Sequence, residues 1–181
     1  MTTYVALLRA INLGKKNKVK MAELRSFLES IGLQHVQTYI QSGNIIFESE
    51  MDVKALKNML EFKLEERFGF AIPVMLRTRS EWSNIIQLCP YADKPLANEQ
   101  SIHISFLGEI PSEQAVNSLG TYENNLDTYQ LNGKEVYLLF GQNLHKSNLQ
   151  RHLQKLKTPA TMRNWKTVMK LETMLAEREG K

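Results

Sequence analysis

The chain of 181 residues holds a single cysteine, Cys89, so it cannot close an internal disulfide, and a cytoplasmic setting is expected. Nine glycines and five prolines are too few for a collagen-like or low-complexity chain. No run of about 18 apolar residues occurs, so no membrane partner is expected. The apolar stretch from Tyr4 to Leu8 is cut short by Arg9 and is too brief for a signal peptide. The phosphate loop G-x-x-x-x-G-K-[ST], the dinucleotide loop G-x-G-x-x-G and the nucleophile elbow G-x-S-x-G are all missing. His35, His103, His145 and His152 never stand at H-x-x-x-H spacing, and one cysteine cannot supply a thiolate cluster. No metal and no cofactor are therefore expected.

What is present is an ordinary globular composition, 43% hydrophobic and 23% charged. A chain of this size buries roughly 70% of its unfolded surface and needs no staples. The net charge of +4 hides two basic blocks. Arg9, Lys15, Lys16, Lys18, Lys20 and Arg25 face one acid, Glu23, in the first block. Lys146, Arg151, Lys155, Lys157, Arg163, Lys166 and Lys170 lie in a stretch from Val136 to Leu171 that has no acid at all. The rest of the chain is acidic, so the blocks can form positive faces on an otherwise negative molecule.

Hydrophobic periodicity divides the chain into alternating elements. Thr3–Ala10 has strand composition, and Met21–Ile31 places Leu24, Phe27, Leu28 and Ile31 on one helical face before Gly32. Val36–Ile40 and Ile45–Phe47 read as a hairpin around Ser42-Gly43. Asp52 is a suitable N-cap for a helix that carries Leu56, Leu60 and Leu64 inward and ends at Gly69. Ile72–Arg77 follows as a strand whose early Pro73 suits a sheet edge. The order β-α-β-β-α-β predicts an α+β protein, with a ferredoxin-like (split βαβ) antiparallel sheet over residues 1–79. Residues 80–181 predict a second, smaller α+β subdomain with a βαββα plan and C-terminal helices. Its elements are a helix capped by Ser80, a strand Ile102–Leu107, a helix Ser112–Leu119 and a hairpin across Asn132-Gly133, followed by helices around 148–156 and 164–176. The wording Thr38-Tyr39…Gly43 is echoed in Thr128-Tyr129…Gly133.

Three ordered segments stand out: Leu8-Arg9-Ala10-Ile11-Asn12-Leu13-Gly14, Thr38-Tyr39-Ile40-Gln41-Ser42-Gly43-Asn44, and Ala160-Thr161-Met162-Arg163-Asn164-Trp165-Lys166-Thr167. The set resembles the bacterial family called domain of unknown function 1697, whose usual forms read L-R-G-I-N-V-G-G, T-Y-I-Q-S-G-N and A-T-x-R-N-W-x-T. This chain departs at Ala10 and Lys15, where the family commonly has glycine. The resemblance implies a cytoplasmic α+β protein with a ferredoxin-like portion. It carries over no activity, cofactor or catalytic residue.

Arginine forks, amides and hydroxyls together bind phosphate or carboxylate without a metal. Arg9, Asn12, Lys15, Lys16, Arg163 and Asn164 are the candidate anion-binding residues, and Gln41, Ser42 and Asn44 form a second candidate cluster. The competing explanation is that Ser42 and Asn44 serve the turn, Asn164 caps a helix, and Arg163 pairs with a carboxylate. Tyr39 and Tyr129 are candidate stacking partners on a sheet face. The expected function is a binding module for a nucleic acid or a phosphorylated small molecule. The alternative is a metal-independent enzyme using Arg9, Arg163, Ser42 and Asn44 in a cleft between the halves. With regular strands, the loop 12–18 is expected about a strand's length, roughly 17–20 Å, from the Ser42-Gly43 turn. Arg163 is expected to side with that loop rather than with the hairpin.

Overall fold

The computed structural model describes residues 1–124 and 126–180. The chain is α+β and divides into two units, one comprising Met1–Asn84 and Lys170–Lys181, the other Ile85–Met169. Among the described residues, no helix is long and apolar enough to cross a membrane.

In the first unit the elements are β1 (Thr2–Leu8), α1 (Met21–Ser30), β2 (Gln34–Tyr39), β3 (Asn44–Ser49), α2 (Val53–Phe68) and β4 (Val74–Thr78). The sheet order β2-β3-β1-β4, antiparallel throughout, is the expected ferredoxin-like plan. β1 runs against β3 from Thr2↔Ser49 to Leu7↔Asn44, and against β4 from Tyr4↔Thr78 to Leu8↔Val74. The core lies between the sheet and both helices. Leu24 and Leu28 of α1 and Leu56, Leu60 and Leu64 of α2 pack with Ala6, Leu8, Ile45, Phe47 and Leu76. Asp52 caps α2 by accepting from the backbone N–H groups of Lys54 and Ala55, and Gly69 closes it in the left-handed conformation with φ +81°.

β2 is an edge strand with a bulge between Gln34 and Gln37, where His35 has φ +51°. Arg178 closes this edge. Its guanidinium donates to the His35 carbonyl and to Gln37 Oε1 (2.9 Å), and lies 3.6 Å from Glu48.

α3 (Arg79–Gln87) is expected to be capped by Ser80 but is capped two residues earlier, by Thr78. The Glu81 N–H donates to Thr78 Oγ1 (3.2 Å) and the Thr78 N–H to Glu81 Oε2 (2.7 Å). Thr78-Arg79-Ser80-Glu81 is thus a reciprocal capping box, which satisfies two donors where a Ser80 cap would satisfy one.

The second unit contains β5 (Ser101–Leu107), α4 (Glu113–Ser118), β6 (Thr128–Asn132), β7 (Glu135–Phe140), α5 (Leu149–Leu153) with a 3₁₀ turn to Leu156, and β8 (Ala160–Asn164). Its sheet order, β6-β7-β5-β8, repeats that of the first unit strand for strand. The expected βαββα plan is therefore corrected to a complete βαββαβ. β8 escaped the hydrophobic pattern because its buried positions are Thr161 and Arg163, both polar. The Thr-Tyr echo is not part of this repeat: Thr38-Tyr39 ends β2, whereas Thr128-Tyr129 begins β6. The β6–β7 loop is Gly133-Lys134, one residue past the expected Asn132-Gly133, because Asn132 still pairs with Glu135. Gly133 has φ +60° at the first central position, the place where a tight hairpin turn calls for glycine.

The division between units falls at 84/85 and 169/170, against an expected single boundary at 79/80. The C-terminal part of α6 (Trp165–Glu179) groups with the first unit through Arg79, whose guanidinium donates to Glu172 (2.8 and 2.9 Å) and to Glu179 (2.9 and 3.2 Å).

Inside the second unit, His103 of β5 is buried edge-to-face against Phe140, with ring centroids 5.2 Å apart. Its Nδ1 finds no hydrogen-bond partner among the described residues. Burial holds its imidazole below the ordinary value near 6.5. As pH falls below that value the unfolded chain takes up a proton that the folded chain resists, so stability is full above about 6.5 and declines on acidification. His103→Phe keeps the ring and removes the titration. The gap in Tm between wild type and variant is expected to change as pH drops from 7 to 5, in the variant's favour. Parallel curves in a pH-resolved thermal melt would contradict this.

Candidate functional site

The β1–α1 loop, residues 9–20, is held by its own backbone and by one amide. The Asn12 N–H donates to the Asn17 carbonyl (2.9 Å) and the Lys16 N–H to the Leu13 carbonyl (3.1 Å), making a miniature hairpin with Gly14-Lys15 at its tip. Asn17 Nδ2 ties the base by donating to the Ala10 carbonyl (3.1 Å). Asn12 then does three things with one side chain. Its Nδ2 donates to the carbonyls of Val19 (2.9 Å) and Gln41 (2.7 Å), and its Oδ1 accepts from the Val19 N–H (2.8 Å).

The Asn12–Gln41 bond overturns the expected separation of a strand's length between loop and hairpin. The error lies in strand direction. Because β3 runs against β1, the residue that starts β3 pairs with the one that ends β1 (Leu7↔Asn44), and the turn preceding β3 must sit beside the loop following β1. The Leu8 N–H donates to the Gly43 carbonyl (2.8 Å), and the Arg9 N–H to the Pro73 carbonyl (3.0 Å), so three connections meet at one end of the first sheet. The two candidate clusters of this unit, Arg9–Lys16 and Gln41–Asn44, are neighbours.

Within the hairpin turn the chemistry is mostly conformational. Gly43 has φ +81°, and a Cβ there would lie 2.8 Å from both Leu8 Cβ and Ile11 Cδ1. No side chain fits. Asn44 is fully buried, and its Nδ2 donates to the Tyr39 carbonyl (2.9 Å) and Ser42 Oγ (3.0 Å). Ser42 and Asn44 thus serve the turn, and both amide hydrogens of Asn12 are committed to backbone carbonyls. These polar residues position the loop.

The cations are arranged differently. Arg9, Lys15, Lys16, Lys18 and Lys20 are all exposed, and their side chains make no ion pair or hydrogen bond among the described residues. Lys20 occupies the N-cap position of α1 without offering an acceptor to its first turn. Glu23, on that first turn, is paired with Arg67 at 2.9 Å.

Arg163 and Asn164 belong to the second unit. Arg163 is buried on β8 opposite Ile104, and one of its nitrogens donates to Thr161 Oγ1 (2.7 Å) and to the Met162 carbonyl (3.0 Å). Burial pushes its guanidinium down to about 10, which leaves it charged at neutral pH. Asn164 is exposed and caps α6 by accepting from the Thr167 N–H at 2.8 Å.

Sequence reasoning missed Asp127. This buried carboxylate accepts from the Gly141 N–H (2.9 Å), Gln142 Nε2 (3.0 Å), Ser147 Oγ (2.6 Å) and Asn124 Nδ2 (3.2 Å), drawing Asn124 and Asp127 together with Gly141, Gln142 and Ser147. Gly141 is the trace it leaves in the sequence, since a Cβ there would fall 2.0 Å from the Leu126 carbonyl oxygen.

Two substitutions test this construction. Asn12→Ala strands the backbone groups that its side chain serves, and is expected to lower stability by about 1–3 kcal/mol in denaturant melts. Ala10 has φ +57°, a conformation that costs an L-residue roughly 1–2 kcal/mol, whereas glycine there gives back about 0.4–1 kcal/mol through unfolded-state entropy. Ala10→Gly is therefore expected to be stabilising by up to about 1 kcal/mol in the same melts. The equivalent change at Lys15, whose φ is not positive, should bring no gain.

Comparison with known proteins adds a family and a fold. Residues 1–137 match the model of a family described as protein of unknown function (DUF1697). The chain is similar to a solved structure described as conserved bacterial protein SP0830 from Streptococcus pneumoniae, at 29% identity and a TM-score of 0.77, covering 96% of this chain and 98% of the other. Comparison with curated proteins finds no significant match.

Proposed function

The chain belongs to the DUF1697 family of proteins of unknown function, and on its own geometry we propose that the loop end of its first unit binds phosphate groups, as a nucleic-acid backbone or a phosphorylated small molecule presents them. One observation carries the reading: five exposed cations, Arg9, Lys15, Lys16, Lys18 and Lys20, stand unpaired on a loop whose backbone is already locked. Here the one acid within the block, Glu23, is paired with Arg67 at 2.9 Å. A preformed loop also spares the ligand the cost of ordering it. The uncapped start of α1 adds N–H groups of the same polarity.

Binding of this kind is driven by counterion release and must weaken steeply with salt. Titration of single-stranded RNA and inorganic polyphosphate at several salt concentrations reads it out. Combining Lys15→Ala, Lys16→Ala and Lys18→Ala is expected to reduce the slope of log affinity against log salt by about 2, at about 0.7 per single-strand phosphate contact. Absence of binding at low salt, or an unchanged slope in the triple variant, would sink the proposal.

A further inference from the structure

Three half-buried rings meet on the second unit: Tyr122, Tyr129 and His152. Ring centroids lie 4.9 Å apart for Tyr122 and His152, 5.8 Å for Tyr129 and His152, and 6.3 Å for the two tyrosines. The interplanar angles are 50°, 54° and 72°, so no pair is stacked flat, and each tyrosine rests partly buried against the apolar core of the unit. Their polar ends are tethered. The Tyr122 hydroxyl accepts from Asn124 Nδ2 (3.1 Å) and donates to the buried Asp127 carboxylate (3.5 Å), and the Tyr129 hydroxyl lies 3.4 Å from His152 Nε2. Rings held at both ends lose little freedom when something lands on them.

The surroundings are cationic. Arg151 precedes His152 and Lys155 follows it by one turn, and burial together with the Lys155 charge holds the His152 imidazole below its ordinary value. Lys146, Arg151, Lys155 and Lys157 are exposed and make no ion pair among the described residues, although Lys155 Nζ reaches the Leu119 carbonyl at 3.5 Å. No acid occurs between Val136 and Leu171. Of the acids near the rings, Asp127 is buried among its own donors and Glu123 is exposed.

Ring faces beside exposed cations hold a nucleobase and the phosphates that flank it, because every base offers a π-face and the backbone offers charge. Inorganic polyphosphate has the charge without the base. We propose that Tyr122, Tyr129 and His152 form a stacking platform for a base of single-stranded nucleic acid, with Arg151 and Lys155 on the adjoining phosphates. The class of ligand rests on the phosphate-binding reading of the first unit, while the platform is built from separate residues.

The test compares a labelled single-stranded oligoribonucleotide with inorganic polyphosphate on the full chain, each variant first checked by thermal melting. His152→Ala is expected to weaken RNA binding roughly tenfold. Polyphosphate affinity and the salt slope should stay unchanged, and His152→Phe should restore RNA binding. Arg151→Ala combined with Lys155→Ala should weaken both ligands and flatten the slope. A readout that needs no variant is the NMR signal of the His152 ring protons, which should move upfield with RNA and not with polyphosphate. RNA affinity unchanged in His152→Ala, equal losses for both ligands, ring signals that do not move, or binding to anionic lipid vesicles in place of RNA would each overturn the platform. If the loop-lysine variant keeps its slope while the ring effect persists, the reading of the first unit fails and the platform stands.

Discussion

The first unit depends on the direction in which β3 passes β1. An antiparallel pair brings the end of one strand beside the beginning of the other, and every arrangement at the loop end follows from that. Leu8 reaches Gly43, Ile11 packs where a Cβ on Gly43 would be, and Asn12 reaches Gln41 because the register Leu7↔Asn44 puts them there. Reversing β3 would scatter these groups to opposite ends of the sheet. The same rule brings Pro73, just ahead of β4, beside Arg9.

Within each unit, polar residues fix points where apolar packing has no directional preference. Asn12, Asn44 and Asp127 each serve several backbone or side-chain partners; Asn12 and Asp127 join separate segments, while Asn44 ties its own turn. A net hydrogen bond contributes about 1 kcal/mol, but leaving a buried partner unmet costs more, so such residues fix geometry more than they add stability. The cations beside them are then free of structural duty. In the first unit this separation is clean, with Asn12 positioning the loop and Lys15, Lys16 and Lys18 presented by it.

The helices and the βαββαβ order of the first unit were legible because Leu24, Leu28, Leu56, Leu60 and Leu64 repeat at helical spacing, and because Asp52 and Gly69 mark the ends of α2. β8 was not legible, since its inward residues are a threonine and an arginine, and a period-two apolar pattern cannot be read from Thr161 and Arg163. The motif T-Y-I-Q-S-G-N was visible as an unusual segment, but its reason was not. Gly43 is demanded by Leu8 and Ile11, residues more than thirty positions upstream, and no local rule reports that contact. Asp127 looked like any loop aspartate, because the donors that surround it come from residues 124, 141, 142 and 147. The aromatic trio was half visible: Tyr129 could be singled out in the sequence, while Tyr122 and His152 join it only through the fold.

The bulged edge of the first sheet has a bearing on how the chain behaves in company. An edge strand offers unpaired carbonyl and N–H groups to any extended peptide nearby, and β2 is one such edge. Here a bulge at His35 breaks the regular row, and the Arg178 guanidinium occupies the carbonyl that the bulge turns outward. The plug comes from α6, held in place by the ion pairs of Arg79 with Glu172 and Glu179. Loss of the Arg178 contacts therefore exposes the β2 edge to pairing with any extended peptide, so this one side chain guards the sheet against its neighbours more than it builds the core.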